Sequence, residues 1–149
     1  GHPALERIDI PIRTMCILPE GHALGSKDVI TPEDLATEKI VHSRRNSAFF
    51  EQLESCFSQR GVPFNSWIEV RQFTAACTFV SQGHGASIVS ALDAAQFEGK
   101  GLIARPFEPA LSHDLSILRP ITGIRPLLVL DFIEAFVESL QPYLFHKSG

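Results

Sequence analysis

The hydrophobic period of this chain keeps changing between two values, and that alternation limits its fold more than any single motif does. "IRTMCIL" (Ile12 to Leu18), "KIVHS" (Lys39 to Ser43), "WIEV" (Trp67 to Val70), "ASIVS" (Ala86 to Ser90), "LIARPF" (Leu102 to Phe107) and "DLSILRP" (Asp114 to Pro120) are short strand-like runs bounded by turn residues. Helical spacing fills most of the gaps. Phe49, Leu53, Cys56 and Phe57 share one face of a helix that Asn46 or Ser47 can cap and Gly61-Val62-Pro63 ends. Phe73, Ala76, Cys77 and Val80 recur at i, i+3, i+4 and i+7, which predicts an amphipathic helix starting near Gln72. Strands that alternate with helices are joined by crossovers, so the chain reads as α/β with mostly parallel strands, "KIVH", "WIEV", "ASIV" and "LIAR" among them.

Local signals punctuate this pattern. Thr31-Pro32-Glu33-Asp34 reads as a helix start, with Thr at N-cap, Pro at the first helical position and an acid closing a capping-box-like pair. Ser90 and Asp93 form a second Ser-x-x-acid pair, opening a short helix to Phe97. Gly83-His84-Gly85 closes the helix after Val80, and Gly99 and Gly101 turn the chain into "LIARPF". Pro126 starts the longest helix, with Leu130, Ile133, Val137, Leu140 and Leu144 along one stripe.

Composition excludes several classes. With 149 residues and 44% of them hydrophobic, the chain can bury the core of one domain or two small lobes. No apolar run approaches the roughly 20 residues that a bilayer requires. The start, Gly1-His2-Pro3-Ala4, lacks the basic and apolar regions of a signal peptide, so a cytoplasmic protein with no membrane contact is expected. A Gly-His start also fits a cloning remnant on a chain that extends upstream. Net charge is -4, and no basic cluster exceeds Arg44-Arg45, so duplex DNA finds no electrostatic footprint here. Cys16, Cys56 and Cys77 are odd in number, widely spaced and set among apolar residues, which predicts buried thiols rather than disulfides or zinc ligands.

Ligands of open α/β sheets bind beyond the carboxyl ends of parallel strands, where helix N-termini present unpaired N–H groups. The residues to inspect are therefore Ser43, Arg44, Arg45, Asn46 and Ser47 after "KIVH", Arg71, Gln72 and Thr74 after "WIEV", and Ser90 after "ASIV". Arginines can pair bidentately with a carboxylate. The plainer alternative makes Asn46, Ser47, Gln72 and Ser90 helix caps and the arginines solvated. His84, between two glycines, is expected in a C-cap turn, and His22 is expected to order the turn after Leu18. Ser87, Asp93 and His113 occur in the chain order of α/β-hydrolases, but "GASIV" lacks the second glycine of a nucleophile elbow and Ser87 would lie inside a strand. No phosphate-binding loop and no common metal-ligand spacing occurs, so no enzyme, cofactor or metal is expected.

The order "ILPEGHALGSKDVITPEDLATEKIVHS", a helix, "IEV", a helix, "VSQGHGASIVS", a helix, "LIARPF", "LSILRP" and a terminal amphipathic helix resembles the effector-binding domain of LysR-type transcriptional regulators from about Ile12 to Leu144. The resemblance implies Rossmann-like lobes of the type II periplasmic-binding-protein fold, with a small molecule in the cleft. It also implies that the N-terminal part of the first lobe is missing. Residues 1–27 and 116–149 would be its remnant with the crossover strands, "MCIL" and "LSIL" would lie side by side as an antiparallel pair, and residues 28–115 would form the second lobe. Ser43 and Gln72 match positions that line the cleft in that family. "PEDLATEKIV", "VSQGHGASIV" and "LDAAQF" look closest to regulators of opine and amino-acid catabolism. The implied function is transcription regulation by a small amino-acid-, opine- or organic-acid-like effector, in a homodimer or tetramer that touches DNA only through a helix-turn-helix domain absent from this chain. The alternative is a fragment of a free-standing solute-binding protein of the same fold.

Overall fold

A computed structural model of the protein describes residues 5–43, 47–120 and 126–146. One strand organises it. β1 (Leu5–Pro19) is 15 residues long and changes partners midway. Its first part pairs antiparallel with β6 (Ser112–Pro120), from Leu5 opposite Pro120 to Arg13 opposite Ser112. Its second part lies between β4 (Ser87–Ser90) and β5 (Leu102–Pro106), antiparallel to both. β2 (Ile40–Ser43) and β3 (Ser66–Val70) form a parallel pair, and a parallel bridge from Ile40 to Ala86 brings β2 alongside the start of β4. Two backbone bonds secure that bridge: the Val41 N–H donates to the Ala86 carbonyl at 2.8 Å, and the Ala86 N–H to the Lys39 carbonyl at 2.9 Å.

β2, β3, β4 and β5 therefore run in one direction, as the alternation predicts, and β1 alone runs against them. The antiparallel crossover pair is also present, but the expected partners differ. "LSIL" (Leu115 to Leu118) pairs with Arg7 to Ile10, while "MCIL" pairs with β4 and β5. Pro11 explains the misplacement. A proline reads as a strand boundary, yet this one lies within β1 opposite Asp114, and its carbonyl accepts the Phe145 N–H at 2.9 Å.

The helices are α1 (Ala48–Gln59), α2 (Phe73–Ser81), α3 (Ala91–Phe97) and α4 (Pro126–Ser139). Ser47 caps α1, its hydroxyl accepting the Phe50 N–H at 3.0 Å, while Asn46 lies outside the described residues. The Thr31–Asp34 box forms, with the Thr31 N–H donating to Asp34 at 2.9 Å, but it closes only a 3₁₀ turn, Glu33–Leu35. α2 ends in a Schellman turn: the His84 N–H donates to the Phe79 carbonyl at 3.0 Å and the Gly83 N–H to that of Val80 at 2.9 Å, with both flanking glycines at positive φ. His84 is thus the cap residue expected, its ring 6.3 Å from that of Phe79. His22 orders its own turn, Nδ1 accepting the Leu24 N–H at 3.0 Å.

Strand alternation sends Cys16 and Leu18 to one side of the sheet and Ile17 to the other, and a core forms on each. The first packs Leu18, Ile30, Leu35 and Ile40 against Phe49, Leu53 and Phe57 of α1, with Phe57 edge-on to Phe64 at 5.0 Å. The second packs Ile17, Val41 and Val89 against Ala76, Cys77 and Val80 of α2. All three cysteines are buried free thiols, as expected. Burial pushes the Cys56 thiol up to about 11 and Cys77 up to about 12, and raises Cys16 as well. A third, smaller cluster joins Ile10, Ile12 and Ala91 to Leu140, with Val137 of α4 against it. Of the predicted stripe, Leu140 is buried, Ile133, Val137 and Leu144 are half-buried and Leu130 is exposed, while Leu127, Leu128, Phe132 and Phe136, off that stripe, are exposed as well. No helix among the described residues is long and apolar enough to cross a membrane.

Candidate functional site

Because β2, β3 and β4 share a direction, their carboxyl ends meet at one edge, and a cleft of about 420 Å³ opens there. Ser43, Ser47, Arg71, Gln72, Phe73, Thr74, Asp93 and His113 line it. Five of the residues picked out by sequence, Ser43, Ser47, Arg71, Gln72 and Thr74, are thus brought together. Arg44, Arg45 and Asn46 lie outside the described residues. Ser90 is absent from the lining; its hydroxyl caps α3 by accepting the Leu92 N–H at 3.3 Å.

Ser43 is the last residue of β2 and is 8% exposed, yet its hydroxyl makes no hydrogen bond to a described residue. Its position is fixed from behind. His42, pointing to the opposite face, is buried against Phe50 and Phe64, and its Nδ1 lies 3.1 Å from the Ser43 carbonyl while Nε2 lies 2.6 Å from the Ser66 hydroxyl. A carbonyl only accepts, so Nδ1 carries the proton in that contact.

Gln72 occupies the N-cap of α2 without using its side chain as a cap. The first N–H groups of that helix are therefore left for another acceptor, and the positive end of its dipole faces the cleft. The Thr74 hydroxyl holds the Gln72 carboxamide oxygen at 3.4 Å. Arg71, exposed, has no ion pair or hydrogen bond with a described residue.

Three lining residues fall outside the set expected from sequence: Phe73, read there as part of the apolar face of α2, and Asp93 and His113, named there only as members of a hydrolase-like order. His113 comes from β6, and its ring is edge-on to Phe73 at 4.8 Å and to Phe49 at 6.0 Å. Burial lowers its pKa, against the opposing pull of Asp114 and Asp93. Asp93 lies in the first turn of α3, but the capping box predicted for it does not form: Ser90 caps alone, and the Asp93 carboxylate makes no hydrogen bond or ion pair with a described residue. Burial raises its pKa, with His113 pulling the other way. Ser87 is wholly buried within β4, its hydroxyl without a partner, and is not part of the cleft. A second hollow of about 210 Å³ shares Ser47 and His113 and adds Arg7, Gln52 and Asp114. Among the described residues no group of three or more His, Cys, Asp or Glu is placed to hold a metal ion.

Comparison with known proteins bears on this geometry. The LysR substrate binding domain family matches residues 9–141. The chain is 32% identical over 127 residues to the transcriptional activator protein LysR of Escherichia coli, covering 85% of this chain and 40% of that protein. It is 30% identical over 145 residues to the regulatory protein NocR of Agrobacterium tumefaciens, covering 95% and 48%. The chain thus spans less than half the length of these curated relatives. Among solved structures, a LysR-family regulator of Pseudomonas aeruginosa superposes with a TM-score of 0.71 at 18% identity, covering 93% of this chain and 51% of that one. The BenM effector-binding domain with its effector benzoate gives 0.62 at 23%, covering 99% and 72%. The effector-binding domain of QuiR in complex with shikimate gives 0.66 at 18%, covering 91% and 66%. These likenesses set the LysR reading above a free-standing solute-binding protein, and the chain belongs to the LysR substrate-binding domain family.

Proposed function

We propose that this chain is the effector-sensing part of a LysR-type transcriptional regulator, that it performs no catalysis, and that the cleft at the ends of β2 and β3 binds a small carboxylate-bearing metabolite. One observation carries the reading: Ser43, only 8% exposed and with no hydrogen bond from its hydroxyl to a described residue, lies in the same cleft as the side-chain-uncapped start of α2 and as Arg71, which has no ion pair with a described residue. Donors without acceptors await an anion, and a carboxylate is the small anion that a hydroxyl, backbone N–H groups and a guanidinium hold together. Thr74, Ser47 and the neighbouring Arg44, Arg45 and Asn46 belong to the proposed site. Benzoate and shikimate, held by two proteins of the same fold, are both carboxylates, which supports the class of ligand. The effector is amino-acid-, opine- or organic-acid-like.

In this reading residues 28–115 are the second lobe, and residues 1–27 with 116–149 belong to the first lobe and its crossovers. The regulator works in the cytoplasm as a homodimer or tetramer, and DNA contact falls to a helix-turn-helix domain outside this chain. Calorimetry on the full regulator with amino acids, opines and organic acids tests the site. Ser43→Ala and Gln72→Ala are each expected to weaken effector binding by about 1 kcal/mol or more, the loss of a hydrogen bond to a charged group. Unchanged affinity in both variants would move the site elsewhere.

A further inference from the structure

We propose that Asp93 makes the cleft a receptor for a zwitterion, so that the effector carries a protonated nitrogen beside its carboxylate. This rests on the cleft being the effector site and narrows its ligand. An acid three residues after a serine at a helix start ordinarily reaches back to the cap. Here Ser90 caps α3 alone, and Asp93 lines the cleft instead. Its carboxylate is half-buried, yet it has neither a hydrogen bond nor an ion pair with a described residue.

Removing a carboxylate from water without a partner costs free energy that a cation in the cleft restores. Among the described residues of the cleft, neither candidate cation serves. Arg71 shares the cleft but forms no ion pair with Asp93, and His113, the nearest titrating neighbour, is held toward its uncharged form by burial among Phe49 and Phe73. Among the described residues the cleft thus holds one arginine and one carboxylate, neither in an ion pair with a described residue. A simple organic acid satisfies the first and is repelled by the second, whereas an ammonium- or guanidinium-bearing acid satisfies both.

The test uses matched probes on the full regulator: L-glutamate against glutarate, L-lysine against 6-aminohexanoate and hexanoate, and L-phenylalanine against 3-phenylpropionate, with benzoate and shikimate as further nitrogen-free acids. At least one nitrogen-bearing probe is expected to bind about tenfold or more tightly than its nitrogen-free counterpart. Asp93→Asn, which keeps the side-chain volume, is expected to erase most of that preference, weakening the nitrogen-bearing probe and relieving the repulsion of its nitrogen-free counterpart. Equal or tighter binding of the nitrogen-free acids, a preference that survives Asp93→Asn, or no binding by any nitrogen-bearing probe overturns the proposal. If nitrogen-free acids bind and Ser43→Ala weakens them, the cleft stands and only the zwitterion falls; if Ser43→Ala and Gln72→Ala change nothing, the cleft itself falls.

Discussion

Around the second half of β1, Ile17, Leu18, Ile30, Leu35 and Phe57 are each at most 1% exposed, whereas Leu5, Leu118, Phe132 and Leu127, on the β1–β6 arm and α4, are 57% to 75% exposed. The sequence treats both regions alike, with the same large apolar residues at the same periods. What separates them is the supply of partners. The first region has a sheet with helices on both faces, so each apolar side chain meets another element. The second has a two-stranded arm and a helix that joins the third cluster through Val137, with Leu140, Tyr143 and Leu144 following it. The proposed division of the chain assigns these exposed apolar residues to the first lobe.

The sharpest way to break this contrast is a pair of truncations. Phe57→Ala should cost about 3–5 kcal/mol in urea unfolding of this chain, the range for emptying an aromatic core position. Phe132→Ala should stay within about 0.5 kcal/mol. A comparable loss in both would show that the helix face is covered even here. In the longer regulator, a rise of the Phe132→Ala cost toward core values would show that the face is covered there.

Two glycines probe how tightly the packed region is built. Gly83 and Gly85 have nearly equal φ, +88° and +87°, but a Cβ at Gly83 meets nothing while one at Gly85 would lie 2.6 Å from the Lys39 carbonyl, which already accepts the Ala86 N–H. Gly83→Ala is expected to cost about 1 kcal/mol for the left-handed backbone alone. Gly85→Ala should cost a further 1–3 kcal/mol or so, as overpacking does, because carbonyl and turn must separate and strain the β2–β4 bridge. Equal thermal shifts for the two variants would mean that the bridge yields freely.

The smallest expected effect lies between the two regions, in the cleft. Burial raises the Asp93 pKa above its ordinary 3.8, with His113 opposing, so the folded chain binds this proton more tightly than the unfolded chain. Stability therefore falls as pH rises from about 3.8 through the raised value. Asp93→Asn should flatten that fall and leave the chain no less stable at neutral pH while it loses ligand preference. A loss of neutral-pH stability in thermal melts would instead give the carboxylate a structural role.

Much of this cleft is legible in the sequence because it is built locally: a strand end followed by a helix start puts Ser43, Ser47, Arg71, Gln72 and Thr74 at the sheet edge whatever the rest of the chain does. Asp93 is hidden by a better-known local explanation, the capping box, which only three-dimensional geometry rejects. His113 reaches the cleft by long-range pairing of β6 with β1, and no local pattern encodes that. The place of β1 between β4 and β5 is invisible for the same reason. Alternation tells which residues face a core but not which strand lies beside them.

The partner change along β1 has a mechanical meaning. Arg13 is the last residue paired to β6, and Thr14 is the first paired to β4, so a single peptide bond separates the two sets of ladders. Thr14 is buried, and its hydroxyl donates to the Leu111 carbonyl at 3.2 Å, which ties this joint to the start of the return strand. His113, whose ring lines the cleft, sits opposite Ile12, immediately before the joint. His113 therefore belongs to the arm while Ser43 and Gln72 belong to the body, so the width of the cleft depends on the angle at this joint.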